Sequence, residues 1–164
     1  MERLGGSRLK QLLVVGGRPI LERSVAAFLH HPDIDEIVVA LPSELVGDPP
    51  GYLRQSAKPM RLVAGGARRR DSVASAFQHV AAHADVVLVH DAARPFVSAQ
   101  LIGRIIAAAS ESGAALAALP ARDTVKLAQS DDGSLVKETL PRESIFLAQT
   151  PQAFRREYCA TRWR

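Results

Sequence analysis

A carboxylate and a guanidinium lie just beyond the most apolar segment of the chain. Residues 85–90 read Asp-Val-Val-Leu-Val-His, which predicts a strand buried on both faces, and Asp91 and Arg94 follow it. A carboxylate at the end of such a strand can hold Mg²⁺ together with the phosphates of a ligand. A guanidinium three residues away can donate paired hydrogen bonds to a phosphate. Because charge beside a buried strand is costly unless it is used, we favour this interpretation over an ordinary turn with a surface ion pair.

His90 is interpreted as a structural residue, because no second histidine lies at a spacing suited to metal binding. Cys159 is interpreted as an incidental thiol, and no Ser/His/Asp nucleophile pattern is present.

Glycines and arginines join a second predicted strand to a predicted helix. Gly65 and Gly66 are followed by an arginine run and then by Asp71 and Ser72. Glycine lets a backbone approach a ligand closely, and the N-terminus of a helix attracts anions. A glycine turn with Asp71 or Ser72 as the helix cap explains the same residues without a ligand. On these residues alone the structural interpretation is favoured.

Basic residues also precede the first predicted strand, at Arg3, Arg8 and Lys10. Phosphoryl and nucleotidyl transfer require cations that stabilise the charge developing on the phosphates. A basic terminus without a function is the simpler interpretation on composition alone. Thr124, Lys126, Arg142 and Thr150 carry no interpretation in isolation.

Short apolar runs alternate with segments of helical period, which indicates βαβ units and a parallel sheet. The predicted strands cover residues 12–15, 36–41, 61–64, 85–90, 114–119 and 145–149, and the predicted helices cover 19–30, 71–82 and 98–110. A hairpin is predicted over residues 125–140, around a turn at 131–134, and is the part expected to project. Ligands of such sheets bind beyond the carboxyl ends of the strands, where segments 65–72, 90–95 and 149–152 lie.

Composition excludes several classes of protein. The chain has 164 residues, 47% apolar and 23% charged, which is typical of one globular domain. No apolar run approaches the ~20 residues that cross a membrane, and the N-terminus has no apolar signal segment. A lone cysteine excludes a disulfide framework, so a cytoplasmic protein is expected. The net charge is +4, but the basic residues are mostly scattered and aromatics are 5%, so no nucleic-acid partner is expected.

Five motifs occur in a fixed order along the chain: Lys10-Gln11, Gly17-Arg18-Pro19-Ile20-Leu21-Glu22, Gly65-Gly66 with Arg69 and Asp71-Ser72-Val73, Val89-His90-Asp91-Ala92-Ala93-Arg94-Pro95, and Gln149-Thr150-Pro151-Gln152-Ala153-Phe154. Taken together, they resemble the motifs of the 2-C-methyl-D-erythritol 4-phosphate cytidylyltransferase family of the non-mevalonate isoprenoid pathway. The resemblance runs from residue 2 to residue 158. The last two motifs are the most specific, although ribitol 5-phosphate cytidylyltransferases share most of the set and form the alternative.

The resemblance implies an α/β, Rossmann-like nucleotidyltransferase fold with a mostly parallel sheet, helices on both faces and a projecting hairpin arm at residues 124–142. It implies that CMP is transferred from CTP to 2-C-methyl-D-erythritol 4-phosphate, with Mg²⁺, and that pyrophosphate is released. In the family the arm embraces a second subunit, so a homodimer is expected. Thr124 and Arg142 would then reach the active site of the partner.

The resemblance also implies roles for single residues. Arg3 and Lys10 would stabilise the transition state. Gly65, Gly66 and Ser72 would line the cytosine and ribose pocket. Asp91 would hold Mg²⁺ and Ala92 would contact the nucleotide, while Arg94 and Thr150 would face the methylerythritol phosphate.

Departures from the family pattern lie at both ends of the chain. The family begins with an apolar strand and an Ala-Ala-Gly-x-Gly-x-Arg loop, whereas Met1 stands at the last glycine of that loop and Leu9 replaces a proline. The tail at residues 158–164 has no counterpart in the family. We therefore expect residues 1–164 to form a single, incomplete domain that lacks the first central strand, is marginally stable and has impaired activity. A non-catalytic remnant that only binds nucleotide or dimerises is the competing hypothesis, and a fusion to the cyclase of the same pathway is compatible with the sequence.

Overall fold

Strands and helices alternate along most of the chain, as the sequence predicts. The computed structural model describes residues 9–130 and 133–160. The strands are β1 (Val14–Val15), β2 (Arg18–Pro19), β3 (Ile37–Leu41), β4 (Met60–Ala64), β5 (Val86–Val89), β6 (Ala114–Pro120), β7 (Val125–Ala128), β8 (Val136–Leu140) and β9 (Phe146–Arg155). The helices are α1 (Ile20–Leu29), α2 (Ser43–Gly47), α3 (Arg69–Phe77), α4 (Ala99–Ser112) and α5 (Arg156–Ala160), and 3-10 turns lie at Lys10–Leu12, Gly51–Leu53 and Arg142–Ser144.

The α/β fold class is confirmed, and the strand directions add a detail that the sequence does not predict. Strands β3 and β4 pair in parallel, with Val39 opposite Leu62. The long strand β9 lies between β5 and β6 and runs antiparallel to both. Strands β5 and β6 are therefore parallel to each other, and the carboxyl end of β5 lies beside the middle of β9, where Val89 faces Gln152.

Helices α1 and α4 follow the apolar periodicity of the sequence. Helix α1 buries Leu21, Val25 and Phe28, together with one polar residue, Ser24. Helix α4 is capped at its N-terminus by Ser98, whose Oγ accepts a hydrogen bond from the Leu101 amide at 3.2 Å. It ends at Gly113, whose φ of +89° is a left-handed conformation that favours glycine.

Three predicted elements differ from the structure. Strand β9 is predicted over residues 145–149 but runs from Phe146 to Arg155, so segment 149–152 lies within this strand and not beyond its carboxyl end. Residues 12–15 are predicted to form one strand, but a 3-10 turn precedes a two-residue strand that folds back on β2. The reversal needs positive φ at Gly16 and Gly17, and the Arg23 guanidinium fixes it by donating to the carbonyls of Val15 and Gly16. Helix α3 is also shorter than predicted: it ends at Phe77, and the Val80 amide bonds the Phe77 carbonyl in a tighter turn.

The described core contains two clusters of buried side chains, and a cavity lies beside the first of them. The first cluster contains Leu21, Val25, Val39, Leu41 and Leu53. The second contains Ile105, Ala109, Ala117 and Ala153. A cavity of about 1260 Å³ is lined by β3 and β5 and by side chains of α1 and α3.

Strand β5 is less buried than the sequence predicts, because it lines this cavity. Strand β5 is predicted to be buried on both faces, but only Val87 is buried, and Val86, Leu88 and Val89 are half-buried. Within residues 9–130 and 133–160, β3 pairs with β4 alone and β5 with β9 alone. The described residues do not test whether a first central strand is missing from the sheet, so its absence stays a prediction.

Strands β7 and β8 form the hairpin that the sequence predicts, with Val125 opposite Leu140. Its role as a dimerisation arm stays a prediction. None of the helices in the described part of the chain is long and apolar enough to cross a membrane.

Candidate active site

The centre of the site is a carboxylate held by two guanidinium groups. Asp91 follows β5, and its Oδ1 lies 2.9 Å from the Nε of Arg69, the first residue of α3. The Oδ2 of Asp91 lies 3.1 Å from the Nε of Arg94. Burial raises the pKa of the Asp91 carboxyl, but the hydrogen bonds and charges of Arg69 and Arg94 outweigh burial and lower the pKa below its usual value. Asp91 is therefore ionised at neutral pH.

Strand β9 supports this cluster from the other side. Thr150 is buried, and its Oγ1 accepts a hydrogen bond from the Asp91 amide at 3.3 Å. The Oε1 of Gln149 accepts a hydrogen bond from the Nη1 of Arg94. Because β9 is paired with β5, two motifs that are 59 residues apart in sequence meet at one point.

The glycine segment closes tightly onto the first turn of α3. The Gly65 amide donates to the Leu41 carbonyl at 2.7 Å, and the Gly66 amide donates to the Ser72 Oγ at 3.1 Å. A Cβ at Gly66 would lie 2.4 Å from the Cβ of Asp71, which is closer than real atoms approach. Gly66 is therefore required by the packing of the loop against the helix.

Asp71 caps the first turn of α3. Its Oδ2 accepts hydrogen bonds from the backbone amide of Arg68 at 3.1 Å and from the Arg68 Nε at 3.2 Å. The side-chain and backbone hydrogen bonds from Arg68 lower the pKa of the Asp71 carboxyl. The N-cap residue is therefore Arg68 and not Asp71 or Ser72 as predicted, because the helix begins two residues earlier, and Asp71 bonds back to the cap from the third position of the helix.

The remaining residues singled out by sequence divide into three groups. Lys10 lines the same cavity as Ser72, Asp91 and Ala92. Thr124 and Arg142 lie at the base of the hairpin, where the Arg142 Nη1 donates to the Arg122 carbonyl at 3.3 Å. Arg3 lies outside the described residues.

Sequence reasoning missed several residues of the site. Arg69 and Gln149 belong to the quoted motifs without a role of their own, although each contacts a predicted site residue. Ser24 escapes notice because it belongs to an apolar helix. Ser24 could have been found as a polar residue on the otherwise apolar, buried face of that helix.

His90 acts as a structural residue. Its Nε2 lies 2.9 Å from the Arg94 carbonyl, and its ring centroid lies 4.9 Å from that of Phe28. Burial lowers the pKa of His90, so the ring is neutral at pH 7 and the Nε2–H donates to the carbonyl. Over the described part of the chain, no group of three or more His, Cys, Asp or Glu residues could hold a metal ion by itself.

A glycine loop, a helix N-terminus and an ionised carboxylate between two arginines lie together in an α/β fold, and such a set suits the binding of a phosphorylated ligand. The comparisons with known proteins specify the family. Residues 1–163 match the family model described as IspD: 2-C-methyl-D-erythritol 4-phosphate cytidylyltransferase. The chain belongs to this family.

The chain resembles two kinds of relative. A bifunctional enzyme IspD/IspF of Anaeromyxobacter dehalogenans is 49% identical over 148 residues, which are 90% of this chain and 38% of the relative. A 2-C-methyl-D-erythritol 4-phosphate cytidylyltransferase of Geobacter metallireducens is 42% identical over 94% of this chain and 68% of the relative. The chain therefore spans little more than a third of the bifunctional relatives and about two thirds of the monofunctional one.

Solved structures agree with this assignment. The 4-diphosphocytidyl-2C-methyl-D-erythritol synthase of Anaerococcus prevotii matches with a TM-score of 0.84 and 29% identity, over 92% of this chain and 65% of that protein. The 2-C-methyl-D-erythritol 4-phosphate cytidylyltransferase of Thermus thermophilus matches with a TM-score of 0.74 and 39% identity, over 93% of this chain and 68% of that protein.

Proposed function

We propose that this chain binds CTP and transfers CMP to 2-C-methyl-D-erythritol 4-phosphate, with release of pyrophosphate, as a step in the synthesis of isoprenoid precursors. The observation that carries the proposal is the Arg69–Asp91–Arg94 cluster beside the Gly65-Gly66 loop. The names of the relatives favour methylerythritol phosphate as the acceptor over ribitol phosphate.

The nucleotide would bind against the glycine loop. Gly65 and Gly66 have no side chains to block its approach, and Ser72 lies beside them with a hydroxyl that already accepts from the Gly66 amide. The N-terminus of α3 carries a partial positive charge, which favours the negative charge of phosphates. Ala92, small and half-buried, leaves room for the nucleotide next to Asp91.

Asp91 would hold Mg²⁺ in this complex. Mg²⁺ usually keeps several waters and is bound by one or two carboxylates plus substrate phosphates, so one carboxylate is a sufficient protein ligand. Each Asp91 oxygen accepts one hydrogen bond from an arginine, and each carboxylate oxygen has a second lone pair. The residues therefore fit the ion, whose bound charge would neutralise the phosphates.

The acceptor phosphate would be held by Arg94 and Thr150. Arg94 is fixed by Asp91 and Gln149 and has further N–H groups that can donate. An oxygen of the acceptor phosphate attacks the α-phosphorus of CTP, the bond to the bridging oxygen breaks, and pyrophosphate leaves with the electron pair. Lys10, and Arg3 by sequence, would stabilise the negative charge that develops on the phosphates.

The active molecule would be a homodimer formed through the hairpin. The support is a set of exposed apolar side chains on β7–β8 and on the adjacent ends of β6 and β9: Leu119 at 59%, Leu127 at 41%, Val136 at 58% and Phe146 at 62% exposure. Apolar surface of this kind marks protein interfaces. Thr124 and Arg142, at the base of the hairpin, would then act in the partner's site.

Calorimetric titration with CTP and Mg²⁺ tests the nucleotide and metal sites. We expect binding in the micromolar range that Asp91→Ala abolishes. Asp48→Ala is the matched control, since it removes the same charge from an exposed pair with Arg54. Pyrophosphate release with methylerythritol phosphate, compared with ribitol 5-phosphate, then tests the acceptor. A folded chain that binds no CTP, or binding unaffected by Asp91→Ala, would overturn the proposal.

A further inference from the structure

A buried serine links helix α1 to the turn that carries the site residues. Ser24 is 3% exposed and lies on the face of α1 that packs into the first core cluster. Its Oγ donates a hydrogen bond of 2.8 Å to the carbonyl of Ala92, which is 68 residues away in sequence. Ala92 is the residue between Asp91 and the rest of the turn that ends at Arg94.

Helix formation alone does not account for this serine. Alanine is the better helix former, and it would bury no hydroxyl group. A serine inside a helix commonly bonds the carbonyl four residues earlier, which competes with the helix. Here the hydroxyl bonds a carbonyl of a distant loop. The bond therefore serves the loop and not the helix.

The turn is held from three sides by polar groups. From β9, the Thr150 Oγ1 accepts from the Asp91 amide, and within the turn the Arg94 amide donates to the Asp91 carbonyl at 3.0 Å. The His90 ring bonds the Arg94 carbonyl. Ser24 fixes the peptide between these contacts from helix α1, and Ala92 itself packs against the first core cluster.

We propose that Ser24 is a positioning residue, whose hydrogen bond to the Ala92 carbonyl keeps Asp91 and Arg94 directed at the same ligand. The identity of that ligand rests on the proposed function. The hydrogen bond between Ser24 and Ala92 does not depend on it. Without the bond, the Ala92 carbonyl loses its partner and the turn gains freedom. The Asp91 carboxylate then spends less time in the geometry that binds CTP and Mg²⁺.

Amide exchange measured by NMR, together with CTP titration, tests the proposal in the whole chain. Ser24→Ala should accelerate exchange of the Arg94 amide about three- to tenfold relative to the Ile102 amide of α4, and should raise the Kd for CTP and Mg²⁺ by a similar factor. This is the range expected for the loss of one hydrogen bond. Ser24→Thr, which keeps the hydroxyl, should restore both values towards those of the wild type.

Ser112→Ala is the control, because Ser112 also donates to a backbone carbonyl, but to that of Ala108 four residues earlier in the same helix and not to the turn. It should change neither the Arg94 amide nor the Kd. Equal acceleration of the Arg94 and Ile102 amides in Ser24→Ala would show a general loss of stability and overturn the proposal. So would a threonine variant that behaves like alanine. If the wild type binds no CTP, the proposed function fails, while the exchange measurement still decides the role of Ser24.

Discussion

Arg94 contacts two acceptors that lie in different directions. Its Nε donates to Asp91 at 3.1 Å and its Nη1 donates to Gln149, so the guanidinium joins the carboxyl end of β5 to β9. The planar group has further N–H bonds, which a phosphate can accept in pairs. A lysine carries the same charge but cannot span both acceptors with one fixed geometry.

Arg94→Lys should therefore raise the KM for the sugar-alcohol phosphate by about tenfold or more, the change expected when a paired hydrogen bond of ~1.4 kcal/mol is lost. Binding of CTP should change less, because Arg69 still contacts Asp91. Steady-state kinetics with each substrate varied in turn measures both effects. Arg54→Lys is the matched control, since Arg54 bonds an exposed aspartate and the Pro49 carbonyl. Equal effects on both substrates would contradict a specific role towards the acceptor.

A substitution at Gly66 tests how tightly the Gly65-Gly66 loop packs against α3. A methyl group at this residue would collide with the Cβ of Asp71 at 2.4 Å, and the backbone of Asp71 is also within 3.4 Å. Gly66→Ala should lower the free energy of unfolding by about 1–3 kcal/mol, as overpacking does, and weaken CTP binding because the loop must move away from α3.

Gly51→Ala is the control for Gly66→Ala, since nothing lies within 4 Å of the added methyl group. It should leave the free energy of unfolding within about 0.5 kcal/mol of the wild type. Urea denaturation compares the two variants, and a Gly66→Ala protein as stable as Gly51→Ala would show that the loop has room to adjust.

At the scale of elements, the start of α3 makes stability depend on pH. The pKa of Asp71 is lowered from 3.8 mainly by hydrogen bonds from Arg68. A lowered pKa in the folded state means that the carboxylate stabilises the fold above the unfolded pKa. That contribution is lost as the pH falls through the folded value.

Asp71→Ala should thus have a lower Tm than the wild type at pH 7, and the difference should shrink as the pH falls below about 3.8. Thermal melts followed by circular dichroism at several pH values measure the difference. Asp48→Ala controls for the change in net charge, because Asp48 lies outside any helix start. A Tm difference that stays constant down to the lowest pH would show that the carboxylate charge is not what caps α3.

The hairpin presents apolar side chains whose use can be tested directly. Val136 in β8 is 58% exposed, and Val14 in β1 is 64% exposed, so the same substitution can be made in two strands of different predicted role. If the hairpin forms the dimer, Val136→Lys should convert a dimer into a monomer, because a buried lysine charge is costly at an interface. Val14→Lys should remain dimeric. Sedimentation velocity distinguishes the two, and a wild type that is monomeric would exclude this interface.

The sequence predicts the presence of local elements better than it predicts their ends or their neighbours in the sheet. Strands at 37–41 and 86–89 follow from apolar β-branched runs, and the strand at 60–64 follows from a short apolar run before Gly65-Gly66. The rule that ligands bind at strand carboxyl ends brings Gly65, Ser72 and Asp91 together from the sequence alone. The antiparallel direction of β9 is not predicted, because pairing between segments far apart leaves no periodic signal. The link from Ser24 to Ala92 is missed for the same reason.

At the scale of the whole molecule, two apolar clusters meet across few contacts. The first cluster supports β3 and β4, and the second supports β6 and β9. Contacts between the elements that carry them include the Phe28–His90 ring pair and the hydrogen bond from His31 to the Ala99 carbonyl at 3.1 Å. With a cavity of about 1260 Å³ between β3 and β5, these contacts couple the halves less strongly than a continuous core would.

We therefore expect the two halves to open as separate cooperative units. Leu41 is 1% exposed in the first cluster and Ile105 is 6% exposed in the second, and truncation of either to alanine should cost about 2–5 kcal/mol locally. In native-state hydrogen exchange, Leu41→Ala should accelerate the amides of β3 and β4 more than those of β6 and β9, and Ile105→Ala should do the reverse. Equal acceleration throughout the chain in both variants would show instead that the site residues join the clusters into one cooperative core, with the Asp91 turn as part of it.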